Sequence, residues 1–366
     1  MASIFPAETR PALRVHGSLD DPRLAIGGPR FDALLLWGCP VASALLVWLW
    51  IAAAGTLAPP ARTLAVTALS VGVIVITFAH LIAVVPRAYM NREVFESNRR
   101  RLTWVPILLV AGLVGSPALL VLAGVVAVFW DVHHSAMQTF GLARIYDLKA
   151  GNPPLELRRT DLRLNWMLYV GPIAAGASLM EHLVHLDQLQ PLGWTALTGL
   201  PSLARSHAAW VREAAVGAWL LFLLWGAWDY RRAMLGGYRL PVHKAALVGS
   251  TAFVSVAAWG FTTPIAAFAI INLFHAVQYF ALVWLKEGGR MQAGTAKLTG
   301  IGGGEGPSPA GQRWAALALF LGLCLAFGGA YQLWRDARWL AGAFIACSLL
   351  HFWFDSFVWS VRKKQV

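Results

Sequence analysis

The sequence predicts an all-α fold, a polytopic transmembrane helix bundle of about ten spans with both termini on the cytoplasmic side. Three observations predict it. Of 366 residues, 58% are hydrophobic and 13% charged, whereas a soluble domain carries about 25% charged residues. Mean hydropathy is +0.58, and apolar runs near the 20 or so residues a bilayer crossing needs recur along the whole chain. The 30 lysines and arginines flank those runs instead of forming one patch. That is how topology signals are distributed, and it points to a lipid bilayer as partner and not to nucleic acid.

Residues 1–32 are polar, contain proline, and carry Arg10, Arg14, Arg23 and Arg30. A cleavable signal peptide would place its apolar core closer to the start, so this segment is expected to be a cytoplasmic tail. A single transmembrane domain, 33–366, is expected after it. Its spans fall near 33–54, 64–86, 102–115, 117–147, 163–186, 210–230, 243–262, 265–286, 314–334 and 339–360. The third is short and the fourth long, with Gly115-Ser116-Pro117 between them. Thr263-Pro264 marks a second tight turn. The segment 287–313, rich in Gly and containing Ser and Pro, is expected to be a flexible cytoplasmic loop. Cys39, Cys324 and Cys347 are too scattered for a disulfide framework.

Charge decides whether the third and fourth runs are two spans or one kinked helix. With ten spans and both termini inside, only Arg62, Arg205, Arg212, Arg335 and Arg338 lie outside, leaving 25 of the 30 basic residues in cytoplasmic segments. Fusing the two runs would put the basic 144–163 loop on the opposite face from the basic 87–101 loop, against the positive-inside bias. Two spans are therefore expected, with the chain in a bacterial inner membrane.

Four even-numbered spans carry histidine within their apolar stretch: His80, the pair His133-His134, His275 and His351. Each stands 7 to 11 residues before the next basic residue, counting from His134 in the pair, or roughly 10–16 Å in from the cytoplasmic belt at 1.5 Å per residue. They form one layer. Polar company follows at helical spacing: Asp131 and Gln138 around His134, Asn272 and Gln278 around His275, Asp355 four after His351. Metal-bound imidazoles need their second nitrogen held by an oxygen, and these five residues are the candidate orienters or cofactor-binding groups. A single polar residue in a membrane helix is commonly an interhelical hydrogen bonder, but four histidine positions at one depth point to a metal site built from His80, His133, His134, His275 and His351. Within the pair, His134 is the expected ligand and Asp131 its orienter, because they share a helix face that His133, about 100° around, does not.

An imidazole-dominated donor set suits iron, copper or zinc over magnesium or calcium. Burial in lipid favours redox chemistry on a lipophilic small molecule over hydrolysis. Glu181, His182, His185 and Asp187 in "MEHLVHLD" offer a further HxxH at the outer end of the fifth span, where a solvated interfacial face is the simpler account. His207 and His243 fall in loop or interface positions. Trp104, Trp284, Trp339 and Trp359 fit an interfacial belt.

The histidine pattern around His80, His133/His134, His275 and His351 resembles that of the Brp/Blh-type bacterial membrane carotene dioxygenases. The resemblance implies a polytopic protein whose membrane histidines hold iron and whose activity is cleavage of carotene to retinal. The expectation is thus an iron-dependent membrane oxygenase or related oxidoreductase, whose electron donor, if it needs one, the sequence does not name. Two other classes stay open at this stage: a haem or haem–copper redox protein, and a proton-coupled transporter using the histidine and aspartate layer.

Overall fold

The computed structural model describes residues 15–176, 178–299, 309–334 and 336–359. They are all-helical apart from an isolated β-bridge between His16 and Pro241. Ten long helices follow one another: α1 Cys39–Gly55, α2 Pro59–Ile82, α3 Arg92–Gly115, α4 Pro117–Lys149, α5 Arg158–Ala175, α6 Ala208–Leu235, α7 Val242–Phe261, α8 Pro264–Thr299, α9 Pro309–Trp334 and α10 Arg338–Val358. Short helical pieces precede α1 and fill the segment between α5 and α6.

Each expected apolar run overlaps one of these helices, but the first begins on a short helical piece bent by 50° from α1 and the fifth runs past the end of α5. Seven described helices are long and apolar enough to cross a membrane, or nine if each of two bent pairs forms one span. These helices are compatible with an integral membrane protein. The helix outside this count is α3, whose first turns carry Arg92, Glu93, Glu96 and Arg99–Arg101. Its apolar remainder is too short for the roughly 30 Å hydrocarbon core by itself. The fifth span breaks at Gly176 and turns by 100° into Leu179–Leu192. Residues 287–299, expected within a flexible loop, continue α8 as helix, because Glu287 and Met291 are buried there. Residues 300–308 of that segment lie outside the described residues. The part of the N-terminal tail from 15 onward docks on the 236–242 turn: His16 N–H donates to the Leu240 carbonyl at 2.7 Å, and Val242 N–H to the His16 carbonyl at 3.0 Å.

The chain reverses between α3 and α4. Ser116 caps α4 by accepting the Leu119 N–H at 3.3 Å, and Pro117 opens the helix, both favoured at a helix start. Helix α10 records the reversal. Gly342, near its start, meets the end of α3 at Leu113 and Val114, while Phe357, near its end, lies under Arg101 at 5.6 Å. Along α4 the order is the opposite: Ala346 packs with Ala123, and His351 with His134. So α10 is antiparallel to α3 and parallel to α4, and α3 and α4 are not one kinked helix.

Helix α8 lies at the centre, with 72% of its apolar window buried, against none for α6 on the periphery. One core cluster gathers around Ile270 and Phe274 with α1, α5 and α7. A second gathers around Tyr279 and Val283 with α2, α9 and α10. Helices α2 and α9 approach so closely that a side chain at Gly328 would sit 2.0 Å from the Val75 carbonyl oxygen, the use of small residues that membrane helix contacts favour.

Two buried ionic networks staple one end of the bundle. In the first, Arg144 and Lys244 each donate to both Asp147 and Asp161, at 2.6–2.8 Å. Tyr238 adds its hydroxyl to Asp147 at 2.5 Å, and Tyr230 hydrogen-bonds Asp161. In the second, Glu287 accepts from Arg87 at 2.6 Å and Asn91 at 3.1 Å, and Arg87 Nε reaches the Val358 carbonyl at 3.1 Å. Two cations face two carboxylates in the first network, so removing one partner strands a buried charge, at a cost of about 3–5 kcal/mol. Lys244→Met is expected to destabilise by that order, and Asp161→Asn likewise. Thermal unfolding in detergent measures both, and an unchanged transition would show that the network does not hold α4 to α5 and α7.

Candidate metal centre

Helices α2, α4, α8 and α10 run parallel around the centre. Contacts in register show this: His80 with His275 and His351, then Arg87 with Glu287 and Val358 about two to three turns further on. Parallel helices carrying histidine at matching depth bring the rings together. The centroids of His80 and His275, His80 and His351, His134 and His275, and His134 and His351 are 4.8–5.0 Å apart. All four side chains are buried.

Three of the four converge through their nitrogens. One ligand atom each from His80, His134 and His351 lies within 4.8 Å of the others. His351 Nδ1 is 2.9 Å from the Leu81 carbonyl. A carbonyl only accepts, so Nδ1 carries the proton of a neutral ring and Nε2 carries the lone pair. That Nε2 faces His134 Nε2 at 3.2 Å. Two neighbouring ligands on one metal, each at about 2.1 Å, stand about 3.0–3.4 Å apart for bond angles between 90° and tetrahedral. The ring of Phe352, 4.6 Å from His134, backs the imidazole from its other side.

His275 packs its ring on His80 and His134 but is not among the three convergent donors. Both nitrogens of His275 and both of His80 are buried without a hydrogen bond, although the Ile76 and Thr77 carbonyls lie near the His80 ring. An unmade buried hydrogen bond costs about 1–3 kcal/mol. Buried groups left this way call for an explanation such as a bound ion. The donor chemistry fits a metal.

The structure separates the remaining sequence candidates. His133 turns away from the cluster: the Trp166 indole N–H donates to its Nδ1 at 2.6 Å, occupying the lone pair on the α5 side. Asp131 makes no hydrogen bond or ion pair among the described residues and does not hold His134. The carboxylate near His134 is Asp355, whose Oδ2 lies 3.9 Å from His134 Nε2 and 3.8 Å from His351 Nε2. The amides act between helices instead of on the rings. Gln138 donates to the His275 carbonyl and to Gln278 Oε1, both at 3.0 Å, and Gln278 donates to the Leu36 carbonyl at 2.7 Å. Asn272 donates back to Phe268 in its own helix at 3.0 Å. In the HxxH pair, His182 Nδ1 is engaged by the Ser178 carbonyl and His185 Nδ1 by Gln188.

Sequence reasoning passed over Tyr279 and Trp359. The Tyr279 hydroxyl donates to Asp355 Oδ1 at 2.7 Å, and the Trp359 indole donates to the same oxygen at 3.1 Å. Each stands four residues from a candidate, Tyr279 after His275 and Trp359 after Asp355. That spacing was the available signal, masked by Trp359 lying near a helix end where tryptophan ordinarily marks the lipid interface.

Compared with protein-family models, with curated proteins and with solved structures, the chain matches none.

His80→Ala, His134→Ala and His351→Ala are each expected to lower metal affinity by about tenfold or more, at least what loss of an outer-shell partner does. His133→Gln, His182→Ala and His207→Ala should leave it unchanged. Elemental analysis of detergent-purified variants decides, and equal loss in both groups would mean misfolding and not ligand removal.

Proposed function

We propose that the chain is an integral membrane, metal-dependent oxygenase, with iron at the histidine centre and a lipophilic, carotene-like substrate drawn from the bilayer. The observation that carries this reading is the buried convergence of one nitrogen each from His80, His134 and His351, with the His275 ring packed against them. The similarity of this pattern to the Brp/Blh-type carotene dioxygenases supplies the substrate class. His80, His134 and His351 would hold the metal, and bound iron would supply activation of O2. His351 is aimed by the Leu81 carbonyl, and Phe352 and Tyr279 flank the imidazoles with aromatic surface. Cleavage of one carbon–carbon double bond by O2 into two aldehydes balances without an external reductant.

The ring geometry favours non-haem iron over haem. Imidazoles packed edge-to-face with centroids about 5 Å apart leave no slot for a macrocycle among them. Copper in the same donors is the nearest alternative, and metal analysis separates the two. Ten spans, with both termini cytoplasmic in a bacterial inner membrane, are the topology proposed. The charge distribution supports it, and so does the reversal at Ser116, which returns the basic 87–101 and 144–163 segments to one face.

Two measurements test this. Purified protein should contain iron and show no Soret band, and expression in carotene-accumulating bacteria should bleach the cells and yield retinal, while the His134→Ala variant leaves them coloured. Intact carotene beside inserted, iron-loaded protein would reject the substrate class. For topology, reporters fused after residues 95, 155, 237, 300 and 366 should all read cytoplasm, and a fusion at 190–205 the outside. Opposite faces for 95 and 155 would overturn the arrangement.

A further inference from the structure

We propose that Asp355 is itself a ligand of the metal, completing a mixed histidine–carboxylate centre, and that Tyr279 and Trp359 position it. The proposal rests on the metal-centre reading above and adds a donor to it. Oxygen Oδ1 of Asp355 is taken up by Tyr279 and Trp359, which fixes the carboxylate plane. Oxygen Oδ2 makes no hydrogen bond among the described residues and faces the two nitrogens that face each other. At 3.8 and 3.9 Å it is too far from His351 and His134 to accept from either ring, so the carboxylate does not orient the imidazoles by a hydrogen bond.

The distances suit a shared ion. His134 Nε2, His351 Nε2 and Asp355 Oδ2 form a triangle with sides of 3.2, 3.8 and 3.9 Å. From those sides, the point equidistant from its corners lies about 2.1 Å from each, inside the range of about 2.0–2.2 Å for metal bonds to imidazole nitrogen and carboxylate oxygen. Three atoms from two helices meet that radius without any adjustment.

The chemistry agrees with the geometry. Asp355 is set in an apolar bundle, where a carboxylate is expensive unless a cation or donors meet it. Two neutral donors meet one oxygen, and a cation at the triangle's centre would meet the other. With His80, the donors would be three imidazoles and one carboxylate, a nitrogen–oxygen set that suits iron, copper or zinc over magnesium or calcium. Haem ligation requires no such carboxylate. Asp355 therefore also bears on which metal the site takes.

Full-length protein in detergent, stripped of metal and kept anaerobic, is titrated with Co(II) alone, whose ligand-field absorption reports its donors. The wild type should bind one ion. Asp355→Asn, which keeps size and shape, should bind more weakly by at least the roughly 10–100-fold that loss of an outer-shell partner costs, and shift the absorption band. Tyr279→Phe should keep one ion, weaken binding less and still shift the band, an effect that a purely structural hydroxyl would not have. If Asp355→Asn titrates as wild type with an unmoved band while His351→Ala loses the ion, Asp355 is not a ligand and the histidine centre stands. If the wild type binds no Co(II), both readings fall. Should Asp355→Asn not fold, as judged by its thermal transition, the band of Tyr279→Phe decides in either direction.

Discussion

Inside a bilayer no water is available to satisfy a polar side chain, so each one has to find its partner within the protein. That constraint bears on two levels of the bundle. Near one end of the bundle, Arg144, Lys244, Asp147 and Asp161 satisfy one another, with Tyr230 and Tyr238 adding hydroxyls. Arg87, Asn91 and Glu287 do the same a helix or two away. About two to three turns deeper, the imidazoles of His80 and His275 have no hydrogen-bond partner. Both nitrogens of His243, beside Lys244 at the paired level, are likewise without a hydrogen-bond partner among the described residues, so what distinguishes the deeper level is that nitrogens of His80, His134 and His351 converge there.

The paired level also shapes the open one. Arg87, on the short helical turn Pro86–Met90 that follows α2, bonds α8 through Glu287 and α10 through the Val358 carbonyl, tying three of the four histidine-bearing helices beyond their histidines. The fourth, α4, is tied at its end by Arg144 and Asp147 to α5 and α7, and beside the cluster by Gln138 to α8. With both levels fixed, the rings are held at about 5 Å by rigid helices and not by loops. A metal site needs that preorganisation to keep its donors in place.

Much of this was legible in the sequence. All ten long helices follow the apolar runs, and the common depth of the histidines is visible from their spacing to the next basic residue. Within the histidine pair, the choice of His134 agrees with the face that α4 turns inward. Side-chain partners across helices were not legible, because they depend on rotations that periodicity leaves free. Asp131 shares a helix face with His134 in projection, yet the carboxylate at that imidazole is Asp355, contributed by α10. Arg144 and Lys244 count as cytoplasmic loop charges by composition, yet both are buried. The local i,i+3 pair of Arg144 with Asp147 was readable, but the share that Lys244 and Asp161 take in it was not, since they come from two other helices.

The two neighbouring histidines of α4 show how one helix serves two surfaces. Consecutive residues point about 100° apart, so when His134 enters the cluster His133 must leave it. It leaves toward α5, where Trp166 occupies its Nδ1. The direction of α4 is what makes this division useful, and that direction is set at Ser116. The capped serine and the proline after it turn the chain back, so that α4 runs parallel to α10 and His134 arrives at the depth of His351. A helix continuing straight through that position would carry the pair out past the other histidines, and no rotation about its axis would return them. The depth of His134 therefore follows from the Ser116-Pro117 turn, some five helical turns away.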